Sequence, residues 1–94
     1  MSKLRKSAKG RECQIRIPGI CNHNNETVVL CHLGGAGMGT KNHDIFGAFG
    51  CSACHDVVDG RVNRGLFPQE RKMWFYEAMV RTQKIWIEEG LIKC

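Results

Sequence analysis

Cys51-Ser52-Ala53-Cys54-His55 sets two thiols at the C-x-x-C spacing that grips one metal ion from a tight turn, with an imidazole directly after them. A second thiol pair, Cys13 and Cys21, lies upstream and can complete a tetrahedral four-thiolate zinc site, with His23 as an alternative to one thiol. Four protein ligands leave no open position for substrate, so this zinc is expected to be structural. Chemistry must then come from other residues. His55 and Asp59 stand four apart in a segment that reads as a short helix, so both project from one face and make a half-site for a divalent cation. His32 ends an apolar run, where a neutral imidazole suits a general base that activates water. Asp44 could orient His32, bind the metal, or only cap a turn.

The elements that must position these groups are short. Thr27–Leu33 is rich in β-branched residues and predicts a strand, followed by a loop over Gly34–Gly39. That loop lacks a Lys-Ser/Thr ending, so no P-loop nucleotide site is expected. Ile45–Phe49 predicts a second strand, antiparallel to the first, and Ser52–Asp59 a short helix stopped by Gly60. Gln14–Ile17 alternates polar and apolar like another short strand, with Pro18-Gly19 turning Cys21 back toward Cys13. From Pro68 to about Glu89 a long helix is expected, with Pro68 in its first turn, Gln69 and Glu70 complementing its dipole, and Gly90 as its stop. Its apolar residues Trp74, Phe75, Ala78, Met79, Ile85 and Trp86 read as a core-facing side.

Ninety-four residues predict one α+β domain: a basic arm over 1–11, a zinc-stapled ββα core over 12–60, and the helix over 68–89. A chain this short buries only about 60% of its unfolded surface. A bound zinc can offset that, supplying roughly 10–16 kcal/mol of apparent folding free energy. Six cysteines without a visible signal peptide favour thiolates on zinc in a reducing, cytoplasmic setting over a disulfide scaffold. No apolar run approaches the roughly 20 residues needed to span a membrane. Cys51 and Cys54 could also serve a redox protein, but no βαβ frame surrounds them. Fourteen Lys plus Arg against nine Asp plus Glu give a net charge of +5. The arm, with Lys3, Arg5 and Lys6, is therefore a candidate contact for phosphate backbone, or else a solvated tail.

Val28–Leu33, the glycine-bearing loop and Cys51–His55 together resemble the HNH branch of the His-Me finger, or ββα-metal, nucleases. More narrowly, Arg11–Cys21 with Cys51–Asp59 resembles the small prophage-encoded proteins of the YbcO type, which carry a nuclease label. The resemblance covers about residues 4 to 90. It implies that His32 deprotonates the attacking water and that His55 binds a catalytic divalent metal, Mg²⁺ or another cation, with Asp59 where some members carry a second ligand. It also implies that Cys13, Cys21, Cys51 and Cys54 hold the structural Zn²⁺. Two positions depart from the pattern. Cys31 stands where an acidic or histidine metal ligand is common, and the middle Asn is absent, with Asp44 the nearest polar substitute. The implied function is hydrolysis of phosphodiester bonds in nucleic acid, DNA foremost, with Arg61, Arg64 and the basic arm on the backbone. The competing class is a non-catalytic zinc-binding module for DNA or protein.

Overall fold

The computed structural model describes residues 3–32, 43–62 and 65–92. The glycine loop Gly34–Gly39, Arg64 and Cys94 lie outside them. Among the described residues the regular elements are, in order, α1 (Lys3–Ser7), β1 (Val29–His32), β2 (Gly47–Gly50), α2 (Ser52–Val58) and α3 (Pro68–Glu88). Short 3₁₀ turns over Asn25–Thr27 and Asp44–Phe46 lead into the two strands.

β1 and β2 pair antiparallel, with Val29 opposite Gly50 and His32 opposite Gly47. The two terminal glycines of β2 are there because of close approach. A Cβ on Gly47 would come within 2.8 Å of Leu30 Cδ1, and one on Gly50 within 2.6 Å of Ile15 Cδ1 and 2.8 Å of Cys31 Sγ. The outer edge of β2 is not left open, because Phe49 N–H donates to Thr82 Oγ1 (3.1 Å) and its C=O accepts from Gln14 N–H (2.8 Å). A two-stranded sheet thus gains both a helix and a loop across its free side, which removes the unpaired backbone groups that would otherwise cost stability.

Gln14–Ile17 is not the strand expected from its alternation. Arg16 takes a φ of +53°, and its N–H turns toward Cys13 Sγ (3.4 Å) rather than toward a neighbouring strand. Ile15 and Ile17 are nonetheless buried, so the segment delivers its apolar side chains to the core from a turn.

α3 begins at Pro68, where the absent N–H is harmless, and Glu70 accepts from Phe67 N–H (2.9 Å). It packs along β2 through Phe75, Ala78, Thr82 and Trp86, all buried. Trp74, Met79 and Ile85, expected in the core, are half-buried at its margin. Trp86 is fully buried, stands edge-on to Phe49 (centroids 5.7 Å apart, 84°) and donates its indole N–H to Ser7 Oγ (2.8 Å). Residues 3–11 of the N-terminal arm are therefore docked and not a loose tail. Ala8 is buried, and Arg11 forks onto Glu89 at the far end of α3. No helix among the described residues is long and apolar enough to cross a membrane.

These contacts give a direct expectation. Trp86→Ala should cost about 3–5 kcal/mol, and Thr82→Val, which keeps the shape but orphans the Phe49 N–H, about 1–3 kcal/mol. Urea unfolding followed by far-UV circular dichroism measures both. Equal midpoints for wild type and Thr82→Val would show that the edge bond contributes nothing.

Candidate metal centre and histidine–carboxylate pairs

The sulfurs of Cys13, Cys21, Cys51 and Cys54 all lie within 4.8 Å of one another, and those of Cys21 and Cys51 are 3.8 Å apart. Two local devices aim them. The turn at Cys13 points the Arg16 amide at Cys13 Sγ, and Cys51 caps α2, its sulfur accepting from Cys54 N–H at 3.4 Å. Each pair thus uses the amide three residues on to support negative charge on a sulfur. Thr27 Oγ1 accepts from Ser52 N–H (3.2 Å) and fastens the start of α2 to the turn before β1. Cys13, Cys51 and Cys54 are buried, and Cys21 is half-buried. His23, the alternative ligand, is exposed, with Nδ1 3.8 Å from Cys21 Sγ and outside the four-sulfur group.

The electrostatics of this cluster favour one thiolate and resist more. The Cys54 thiol donates to Cys13 and pulls the Cys13 pKa well down, with backbone amides helping and burial opposing. Cys54 is pushed up in return, first because its proton serves Cys13 and then by burial. Burial, with the negative charge on Cys13 adding to it, raises Cys21. Four thiolates could share this volume only around a cation. The donor set, four soft sulfurs in a closed and largely buried cage, fits a metal ion of the zinc type.

Cys31 belongs to the core instead. It is fully buried, its sulfur lies beside Gly50, and burial, with the negative charges of Asp59 and nearby thiolates, holds its thiol well above the usual range. A neutral buried thiol is not a hard-cation ligand, so the position before His32 serves packing.

The two candidate catalytic histidines each meet a carboxylate. His32 Nε2 lies 2.6 Å from Asp44 Oδ1, although the two are twelve residues apart in sequence. Arg5 Nε bonds the same oxygen at 3.2 Å. His55 Nε2 lies 2.8 Å from Asp59 Oδ2, across one turn of helix at the end of α2, and an Arg61 guanidinium nitrogen lies 3.7 Å from that same oxygen. Both sites therefore share one plan, an imidazole and an arginine on one carboxylate oxygen. The Asp59 side chain is only 6% exposed and that of Asp44 17%, so neither carboxylate is left to water alone. Among the described residues, the four cysteines form the one group of three or more potential ligands; the His55–Asp59 pair offers two.

Of the cations singled out in the sequence, Lys3 and Lys6 are exposed, Arg5 is tied to Asp44, and Arg61 lies near Asp56 and Asp59. The part of Arg5 in the histidine site was not visible in sequence. It is separated from Asp44 by 39 positions, and no spacing rule links a short N-terminal helix to a turn before β2.

Residues 2–91 match the family described as "Putative nuclease YbcO". A protein of that name from Escherichia coli strain K12 is 50% identical over 99 aligned positions, covering 99% of each chain. A protein from Enterobacteria phage 82, "Putative nuclease ybcO", is similar to the same extent. A solved structure, "Structure of a putative bacteriophage protein from Escherichia coli str. K-12 substr. MG1655", superposes with a TM-score of 0.81 at 46% identity, covering 94% of this chain and all of that one. The match along nearly the whole chain, in sequence and in fold, makes this protein a member of the YbcO family.

Proposed function

We propose that the protein is a metal-dependent endonuclease of the HNH, or ββα-metal, type, hydrolysing phosphodiester bonds in nucleic acid and DNA foremost. The observation that carries this reading is the order of parts. A histidine held by a carboxylate ends β1, and a histidine–carboxylate pair leaves α2, the helix directly after the antiparallel partner strand. The nuclease label of the family and the phage origin of one relative support it and fit a prophage source.

In this reading His32 is the general base. A carboxylate only accepts, so the His32 proton sits on Nε2, donated to Asp44, and Nδ1 keeps the lone pair that takes a proton from water. Asp44 fixes that tautomer and stabilises the imidazolium that forms, and Arg5 holds the carboxylate in place. His55 and Asp59 hold the catalytic divalent cation, Mg²⁺ or another. A cation bound there supplies charge stabilisation at the scissile phosphate and the leaving oxygen. Lys3 and Lys6, with Arg61 and Arg64, contact the backbone without reading bases. Arg5 and Arg61 already face carboxylates, so a phosphate oxygen reaching either one would compete with Asp44 or Asp59.

The four cysteines hold one structural Zn²⁺ per chain. Elemental analysis and native mass spectrometry of protein purified under reducing conditions should find one zinc on a fully reduced chain. Cys54→Ser should lose both the metal and the fold, because metal binding and folding are coupled. A metal-free chain with intact fold would overturn the assignment.

His32→Ala should lower single-turnover cleavage by about 10²–10⁴-fold while keeping structural zinc and far-UV spectrum unchanged. His55→Ala should abolish metal-dependent cleavage, and the double variant should lose far less than the sum of the two, since base and cation act as a unit. Substrates are single- and double-stranded DNA and RNA across several divalent metals. One observation favours a second reading, a zinc-stapled binding module: His55 and Asp59 supply only two ligands. Equal background rates for wild type and His32→Ala on every substrate and metal would select it.

A further inference from the structure

α3 carries two apolar faces, one buried in the core and one largely exposed. Phe75, Ala78, Thr82 and Trp86 are buried against the strands. On another side of the helix Met73, Tyr76, Val80 and Ile87 are 50%, 44%, 63% and 43% exposed. At 3.6 residues per turn these four fall within about 60° of arc, in a stripe about 21 Å long. Their spacing is that of a heptad seam, with Gln83, whose Nε2 donates to Ile45 O of the same chain (2.6 Å), at the one remaining position. Scattered exposed apolar residues mean little, but an aligned stripe marks a contact surface.

We propose that this stripe is the seam of a two-fold homodimer, in which α3 packs antiparallel on α3 of a second copy with Val80 at the axis. The occupant follows from charge. Glu77 and Lys84 flank the stripe on the same side, both exposed, and neither takes part in an ion pair among the described residues. They lie three residues before Val80 and four after it. Antiparallel pairing about Val80 therefore sets Glu77 opposite Lys84 of the partner subunit, twice by symmetry. It also sets Met73 against Ile87 of the partner subunit. A surface complementary to its own two-fold image is what an isologous interface requires. The proposal does not rest on the nuclease reading.

Sedimentation velocity of the full chain, from micromolar to submillimolar concentration at low salt, tests it. Wild type should shift from monomer to dimer. Val80→Glu sets two carboxylates at the axis and should weaken the dimer about tenfold or more. Its position is mostly exposed, so metal content and thermal unfolding of the monomer should not change. Glu77→Lys and Lys84→Glu should each weaken the dimer, whereas mixing these two variants, or combining both changes in one chain, should restore it. A wild type that stays monomeric throughout, or a Val80→Glu dimer as tight as wild type, overturns the proposal. Failure of the mixed pair to recover, or recovery of Glu77→Lys by Lys72→Glu instead, overturns the antiparallel arrangement.

Discussion

The sulfurs of Cys13 and Cys21 meet those of Cys51 and Cys54 within 4.8 Å, and so close the chain from its first loop to the start of α2. Everything between these pairs is inside that closure, including both strands. Four thiols in one small volume cannot all ionise side by side, because each new charge is opposed by the one before it. Without a cation a thiolate is favoured on Cys13, and Cys21 and Cys54 are pushed up by burial, by hydrogen bonding or by that charge. A metal ion turns the same crowding from a repulsion into a bond. For a chain of 94 residues with a two-stranded sheet, an ion held there would be a larger source of cohesion than any single apolar contact.

Inside that closure β2 is buried along its whole length, and α3 packs along it. Thr82 and Gln14 take up the backbone groups that β2 cannot pair, while Trp86 fills the space behind Phe49 and reaches Ser7 of α1. That last bond brings the N-terminal arm into the structure. The same short helix carries Arg5 to Asp44, so α1 touches both the core tryptophan and a histidine's carboxylate.

The two histidines show how a small fold spends its charge. Each is held to a carboxylate oxygen that an arginine also approaches. An imidazole bound this way has a defined tautomer and orientation, which a general base or a metal ligand needs before anything binds. The consequence for the surface is equally concrete. Two of the arginines that net charge alone would offer to a polyanion already have carboxylates beside them, and the exposed cations of α1 are its lysines.

Local rules made much of this legible in the residues. C-x-x-C spacing marked the α2 end of the metal site, because a tight turn brings two sulfurs together whatever surrounds it. His55 and Asp59 were on one face because a helix repeats every 3.6 residues. Pro68, Glu70 and Gly90 marked the span of α3 through the geometry of helix ends. The alternation in Gln14–Ile17 misled, since Ile15 and Ile17 reach the core from a bend whose amides serve a sulfur and a strand edge. Trp74, Met79 and Ile85 read as core alongside Phe75 and Trp86, because apolar content on a helix does not say which side a sheet will take. Thr82 was passed over for the opposite reason: a hydroxyl is unwelcome in a core until a strand edge supplies the N–H it accepts. Arg5 on Asp44 and the neutral burial of Cys31 came only from tertiary structure, which also chose, among the roles open to Asp44, the one beside His32. Sequence by itself determined which groups could do chemistry and which neighbours within a turn could help them. Which carboxylate each distant group would meet depended on how the closed chain packed, and no spacing along the backbone encodes that distance.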